Sequence, residues 1–124
     1  MAKKKASRSK WNRVHEFSYK KASDNTARHP AYIFSKIKKR QRKYLVFTRQ
    51  PHTNGVDNIP LRHNIDSAAK SNYDKSGKPI SHVRDGYFIA YDYDFEPVTD
   101  KKFRIHNSDL PLICSLKQKL YKGK

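Results

Sequence analysis

After residue 30, the hydrophobic positions of the chain follow the pattern of short β-strands. Residues 31–37 and 44–49 are rich in β-branched and aromatic side chains, which favour the pleated backbone. The connector between them, residues 38–43, reads Lys-Lys-Arg-Gln-Arg-Lys. The pattern therefore predicts an antiparallel β-hairpin whose tip is almost entirely cationic.

Three more segments are expected to be strands. The clearest is residues 86–94, because its side chains alternate in part between two faces. One of these faces carries Tyr87, Ile89, Tyr91 and Tyr93. Residues 56–61 follow an Asn-Gly turn signal, and Pro60 restricts this strand to an edge or an end of a sheet. Residues 101–106 are predicted to form the last strand.

Helical spacing is confined to the two ends of the chain. At the C-terminal end, Ser108 or Asp109 is available to cap a helix. Four apolar residues of that helix share one stripe: Leu112, Ile113, Leu116 and Leu120. At the N-terminal end, the spacing of Trp11, Val14 and Phe17 predicts a short helix.

The predicted elements indicate one domain preceded by a basic extension. Residues 1–28 are expected to form a basic N-terminal arm, partly helical, in which residues 1–10 are mobile and residues 23–30 act as a linker. Residues 29–124 are expected to form the folded domain. The fold class is mainly β with one closing C-terminal helix (α+β). A small SH3-like antiparallel barrel is the expected architecture, with a bent sheet as the alternative.

The charge of the chain points to a polyanionic partner. The net charge is +17, from 28 Lys and Arg against 11 Asp and Glu in 124 residues, which exceeds what solubility requires. Residues 1–43 hold 15 basic and 2 acidic side chains, so +13 of this charge lies there and +4 in the remainder. Clustered basic groups on a loop and an arm are the electrostatic footprint of a nucleic-acid binder.

We therefore expect the partner to be a nucleic acid, with RNA favoured over DNA. The residues expected to contact it are Lys38, Lys39, Arg40, Arg42, Lys43, Arg49, Arg62 and Arg84. Six tyrosines offer stacking faces for unpaired bases, although most of them are expected to be core or cross-strand residues: Tyr32, Tyr44, Tyr73, Tyr87, Tyr91 and Tyr93.

Several other classes of protein are disfavoured. No segment approaches the roughly 18 apolar residues of a membrane span, and no signal peptide follows the basic start, so we expect a cytoplasmic protein without a membrane partner. The single cysteine, Cys114, excludes an internal disulfide and is expected to be a buried packing residue. The four glycines are not spaced as a phosphate-binding loop, so no cofactor is expected. No metal site is expected either, because Asp92 and Asp94, placed on one strand face, are better explained as charge balance for nearby lysines.

The histidines raise an alternative based on catalysis. Metal-free RNA cleavage needs a base for the 2′-hydroxyl, an acid for the leaving oxygen and cations for the charged phosphorane. His52 and His63, both in predicted turns or loops, are the candidate acid and base. Their spacing is not diagnostic, so catalysis stays an alternative to binding.

The order of the segments resembles the MazF/PemK-like group of small barrels over about residues 29–120. The matching segments are residues 29–34 (HPAYIF), 42–48 (RKYLVFT) and 58–61 (NIPL), followed by the aromatic strand and the closing helix. The resemblance implies an SH3-like barrel, usually dimeric, that acts as a ribosome-independent RNase of a toxin–antitoxin module. It also implies a catalytic role for Arg42, which matches the family's arginine before the second long strand.

One departure from that family decides between the hypotheses. The family's catalytic Thr or Ser follows the short third strand, whereas here Leu61 is followed by Arg62 and His63, with no hydroxyl until Ser67. Binding without chemistry, in an accessory or regulatory role of a bacterial or mobile-element system, is therefore favoured. A metal-independent endoribonuclease using Arg42 with His52 or His63 is the alternative. The sequence leaves open a third hypothesis, a module that binds an acidic protein, and it leaves open a homodimer.

Overall fold

The structure is a computed structural model that describes residues 11–13, 17–21, 28–53, 55–98 and 102–122. The segment expected to be a mobile arm, residues 1–10, lies outside the described residues. The same holds for residues 23–27 of the expected linker.

The described part of the chain is built mainly from short strands. These are β1 (Trp11–Arg13), β2 (Phe17–Lys21), β3 (Arg28–Lys36), β4 (Gln41–Thr48), β5 (His52–Thr53), β6 (Val56–Asp57), β7 (Ile59–Pro60), β8 (His82–Val83), β9 (Phe88–Tyr91), β10 (Phe95–Pro97) and β11 (Arg104–His106). One α-helix, α1 (Leu110–Leu116), follows them. Short 3-10 helices are Lys70–Asn72, Asp92–Asp94 and Asn107–Asp109.

The central sheet is antiparallel and has the order β10-β2-β3-β4-β8-β7. The β3–β4 hairpin at its centre confirms the sequence prediction, and Pro60 lies in the edge strand β7, where its missing N–H is tolerated. Within the described residues the outer strands β10 and β7 do not pair. The architecture is therefore the bent sheet with a C-terminal helix, and the closed barrel that we expected first is wrong.

The sheet bends because β4 has two different neighbours along one edge. Its first half, Gln41 to Tyr44, pairs with β9, whereas Phe47 and Thr48 pair with β8. A shift of register between Ile33 and Ser35 also interrupts the β3–β4 ladder. Such a bulge increases the local twist of a strand pair. Beyond β4 the sheet therefore divides into two branches, β9 and β8, instead of closing into a barrel.

The core lies between one face of this sheet and the C-terminal helix. Leu45 and Phe47 of β4 are buried there, together with Ile113 and Leu116 of α1. Aromatic rings fill much of the remaining space, as expected for a chain with 15 aromatic residues among few aliphatic ones.

The N-terminal helix predicted from Trp11, Val14 and Phe17 is wrong. Trp11 lies in β1, which pairs with β11, and Phe17 lies in β2, which is inserted between β10 and β3. The Phe17 ring is buried, and its centroid lies 5.4 Å from that of Phe47. Phe17 and Tyr19 alternate with polar residues, so this segment also carries a strand pattern, and the sheet stabilises that option. Residues that we assigned to the arm therefore contribute to the core.

The C-terminal helix exists but is shorter than predicted. Backbone hydrogen bonds join residue Tyr87 to Lys119 and Tyr121, so the chain after residue 116 lies along residue 87 instead of continuing the helix, and Leu120 is exposed. Cys114 is also exposed, which contradicts the expected burial, because Ile113 and Leu116 define the buried side of α1. No helix among the described residues is long and apolar enough to cross a bilayer.

The aromatic strand is also shorter than the pattern suggested. It ends at Tyr91, and the following Asp92–Asp94 segment is a 3-10 helix. The two aspartates therefore do not share a strand face, contrary to the alternation expected from sequence. In the 3-10 turn the Asp94 carboxylate accepts a hydrogen bond from the Tyr91 backbone N–H at 3.1 Å.

Candidate nucleic-acid interface

The turn of the β3–β4 hairpin is compact and exposes its charges. The Gln41 N–H donates to the carbonyl of Lys38 at 3.0 Å, and the Ile37 N–H donates to the carbonyl of Gln41 at 3.2 Å. Arg40 closes the turn with a φ of 69°, in the left-handed region that a non-glycine residue rarely adopts. Lys38, Lys39 and Arg40 are consequently exposed at the tip of the hairpin.

These residues border a shallow depression of about 610 Å³. We call it the tip surface, and its lining residues are Lys36, Ile37, Lys38, Lys39, Arg40, Arg42 and Asp92. Five of the seven are basic and one is acidic, so the surface keeps an excess of four positive charges. Lys36 is not among the predicted contacts, although it lies near the end of a predicted strand, beside the charged connector.

Asp92 holds the neighbouring segment against the hairpin. Its backbone N–H donates to the carbonyl of Arg40 at 2.7 Å. Its carboxylate lies 4.0 Å from the guanidinium of Arg40 and 3.7 Å from that of Arg42. Arg42 has only 18% of its side chain exposed and also donates to the Gln41 carbonyl at 3.1 Å. Arg42 is therefore partly committed to internal contacts, whereas Lys38, Lys39 and Arg40 present their charges to solvent.

An exposed pair of tyrosines adjoins the tip surface. Tyr91 pairs with Gln41 in the β4–β9 ladder, so it lies beside the start of β4, next to the turn. Tyr93 stacks on it, with ring centroids 5.3 Å apart and ring planes only 4° from parallel. Both residues are among the predicted stacking candidates, but their position next to the cationic hairpin depends on the pairing of β4 with β9.

The other predicted nucleic-acid contacts lie elsewhere. Lys43 is half-buried, with its ammonium 4.8 Å from the centroid of the Tyr87 ring. Arg84 is also partly buried, donates to the hydroxyl of Tyr121 at 2.6 Å and lies over that ring. Arg62 is exposed, but in the segment that contacts the start of the C-terminal helix. The structure therefore does not bring these three residues to the tip surface.

Arg49 borders a second depression, at the opposite end of β4. This basal pocket has a volume of about 500 Å³, and its basic lining residues are Arg28, His29, Arg49 and Lys102. Thr48, which also lines it, is six residues along β4 from Arg42, or about 20 Å. Burial lowers the pKa of His29, and the charge of Arg84 lowers it further. Arg28 is already paired with Glu96 at 2.8 Å.

The three candidate catalytic residues belong to three different clusters. Arg42 lies at the tip surface, whereas the Nδ1 of His52 lies 2.6 Å from the carboxylate of Asp57 in the β5–β6 hairpin. His63 lies three residues after Pro60, the end of β7. Pro60 is level with Thr48 across β8, and Thr48 lies about 20 Å along β4 from Arg42. The structure does not assemble these residues into one site.

His63 instead belongs to a group that the sequence analysis missed. Its ring stacks on His106, with centroids 3.6 Å apart, and both Nδ1 atoms lie within 3.1 Å of the hydroxyl of Ser108. Asp109 anchors this region, because its buried carboxylate accepts from the backbone N–H groups of Arg62 at 2.8 Å and His63 at 3.1 Å. The sequence separation of about 45 residues leaves no local pattern that could have revealed this group.

Among the described residues, no group of three or more His, Cys, Asp or Glu side chains is arranged to hold a metal ion. Comparison with known proteins adds no further constraint. No protein-family model matches the chain, and neither the curated proteins nor the solved structures give a significant match. The resemblance to MazF/PemK-like proteins therefore stays a prediction.

Proposed function

We propose that this protein binds nucleic acid, RNA in preference to DNA, through the tip surface. The observation that carries the proposal is the concentration of five basic side chains around one depression, with a single acidic residue among them. Lys38, Lys39 and Arg40 are exposed at the tip of the hairpin, so their charges are accessible to the phosphates of a polymer. The net charge of +17 adds long-range attraction for any polyanion.

Salt dependence is the physical signature of such binding. Each phosphate neutralised by Lys or Arg releases condensed counterions, so the logarithm of the affinity falls linearly with the logarithm of the salt concentration. For a single strand the slope is about −0.7 for each phosphate contacted. The four excess charges of the tip surface therefore correspond to a slope of about −3, provided that each one contacts a phosphate.

The test is a salt titration of the binding affinity with a matched control. Fluorescence anisotropy with a labelled single-stranded RNA, in EDTA, would compare the wild type with the triple variant Lys38→Gln, Lys39→Gln, Arg40→Gln. We expect the variant to lose about 2 from the magnitude of the slope. The control, Lys70→Gln with Lys75→Gln and Lys78→Gln, removes three exposed charges from another segment. Equal losses in both variants would contradict binding at the tip surface and indicate a response to total charge alone.

The same reactions, analysed on a gel, test the other hypotheses. We expect the RNA to remain intact, because Arg42, His52 and His63 lie in separate clusters. Cleavage in EDTA that disappears in Arg42→Ala would replace binding with the endoribonuclease hypothesis. If the protein neither cleaves the RNA nor binds it in a salt-sensitive way, the hypothesis of an acidic protein partner is favoured. Parallel titrations with DNA of the same sequence decide between RNA and DNA.

A further inference from the structure

We propose that Tyr91 and Tyr93 form a stacking platform that makes the tip surface select unpaired bases, and hence single strands over duplexes. This inference rests on the proposed function, and it names the class of nucleic acid. It depends on a separate observation, the exposed aromatic pair that the β4–β9 ladder fixes beside the cationic turn.

The two rings are unusually exposed for large apolar groups. Tyr91 is 43% and Tyr93 62% exposed, whereas Tyr44, one strand away, is 5% exposed and packs against Phe88 and Phe95. The folded domain therefore buries one tyrosine of this region almost completely and leaves about half of the surface of the other two accessible. The accessible faces of Tyr91 and Tyr93 are available to a ligand.

Apolar exposure is also concentrated at this end of the sheet. Five large hydrophobic side chains are exposed among the described residues, and four of them lie in the turn or in the segment paired with it: Ile37, Ile89, Tyr91 and Tyr93. Exposed apolar side chains concentrated at one end of a sheet are typical of an interaction surface. The adjoining basic residues favour an anionic partner, because a neutral or cationic partner gains no electrostatic attraction from the tip surface.

An unpaired nucleotide fits both halves of this surface. Its phosphate is neutralised by Lys38, Lys39 or Arg40, and its base has a π-face that stacks on an aromatic ring. The Tyr91 and Tyr93 rings already lie in mutual contact at 5.3 Å, so a base extends the stack from an outer face instead of entering between them. Bases inside a duplex have both faces covered by their neighbours and cannot stack in this way.

Asp92 joins the two halves of the surface. It lies between the two tyrosines in sequence, and its backbone N–H donates to the carbonyl of Arg40 at 2.7 Å. This hydrogen bond holds the backbone of the tyrosine segment against the backbone of the turn. A site whose parts are already positioned loses less entropy when the strand binds.

The test separates stacking from charge and from general hydrophobicity. Anisotropy titrations would use a labelled 12-nucleotide RNA, the same RNA annealed to its complement, and an abasic strand of equal charge. The variant Tyr91→Leu with Tyr93→Leu keeps apolar side chains but removes the π-faces, whereas Tyr91→Phe with Tyr93→Phe keeps them. Thermal unfolding of each variant confirms that the exposed substitutions leave the fold intact.

We expect the single strand to bind more tightly than the duplex or the abasic strand. The leucine variant should lose about 5- to 150-fold in affinity for each base that stacks, with an unchanged salt slope, and the phenylalanine variant should retain wild-type affinity. Equal affinity for the single strand, the duplex and the abasic strand would overturn the inference. An equal loss of affinity in the leucine and phenylalanine variants would also overturn it. In both cases the proposed binding function stands. If none of the three nucleic acids binds in a salt-sensitive way, the proposed function itself is refuted. The abasic strand gives an answer even if the leucine variant fails to fold.

Discussion

Arg40 offers a test in which stability and binding should change in opposite directions. The residue has a φ of 69° at the turn of the β3–β4 hairpin, a conformation that an L-residue with a β-carbon adopts at a cost. Glycine adopts it without that cost, so Arg40→Gly relieves strain and removes one cation from the tip surface. A residue selected only for folding would be glycine or asparagine at this position.

The expected change in stability follows from three contributions. Relief of the left-handed strain contributes about 1 to 2 kcal/mol. The greater freedom of glycine in the unfolded chain offsets about 0.5 to 1 kcal/mol of this gain. The contact between Arg40 and Asp92, 4.0 Å long and with 62% of the arginine side chain exposed, offsets at most about 0.5 kcal/mol. The variant should therefore be more stable by about 0.5 kcal/mol, or about 2 °C in Tm for a domain of this size.

The expected change in binding follows from the lost charge. One phosphate contact fewer reduces the magnitude of the salt slope by about 0.7 on a single strand. Urea unfolding and anisotropy titrations at several salt concentrations measure the two effects on the same protein. Arg40→Lys is the control, because it keeps both the charge and the strain. A variant that binds with the wild-type slope would refute the role of Arg40 in phosphate contact, and one less stable by more than about 1 kcal/mol would refute the argument from strain.

Three further predictions concern residues that stabilise the fold outside the tip surface. Gly86→Ala should destabilise the protein by roughly 2 to 5 kcal/mol in urea unfolding. The φ of Gly86 is 138°, and an added Cβ would lie 2.8 Å from the backbone at residues 119–121. A smaller loss of stability would mean that residues 119–121 move aside. Asp109→Ala should cost about 1 to 3 kcal/mol by the same measurement, since it removes the buried carboxylate that accepts from the N–H groups of residues 62–63, and a neutral result would show that solvent replaces it. Burial lowers the pKa of His29 below its unfolded value, and the charge of Arg84 lowers it further. The contribution of neutral His29 to stability is therefore complete above about pH 6.5 and is lost as the pH falls towards the folded pKa. Urea midpoints between pH 7 and 5 should fall less in His29→Gln than in the wild type, and parallel curves would contradict this assignment.

The local features of this protein could be predicted from its sequence. The β3–β4 hairpin, the cationic turn and the placement of Pro60 at an edge all follow from residues that are neighbours in the chain. Local patterns succeed in these cases because a hairpin forms between adjacent strands and its tip is exposed wherever the hairpin packs. The mainly antiparallel architecture with a C-terminal helix could be predicted for the same reason.

Which distant segments pair with each other depends on the packing of the whole fold. The spacing of Trp11, Val14 and Phe17 suggested a helix. Pairing of β1 with β11 and of β2 with β10, across intervals that no local pattern reports, made these segments strands. Arg84 and Lys43 were predicted as surface cations and instead lie over aromatic rings.

The same distinction applies to the candidate site. Charge on residues 38–42 was evident in the sequence, whereas the approach of Tyr91 and Tyr93, about 50 residues away, depends on β9 pairing with the first half of β4. It also depends on the bend that lets β8 occupy the second half. Strand pairing is a nonlocal choice made by the packing of the whole core, so the composition of the surface could be anticipated and its assembly could not.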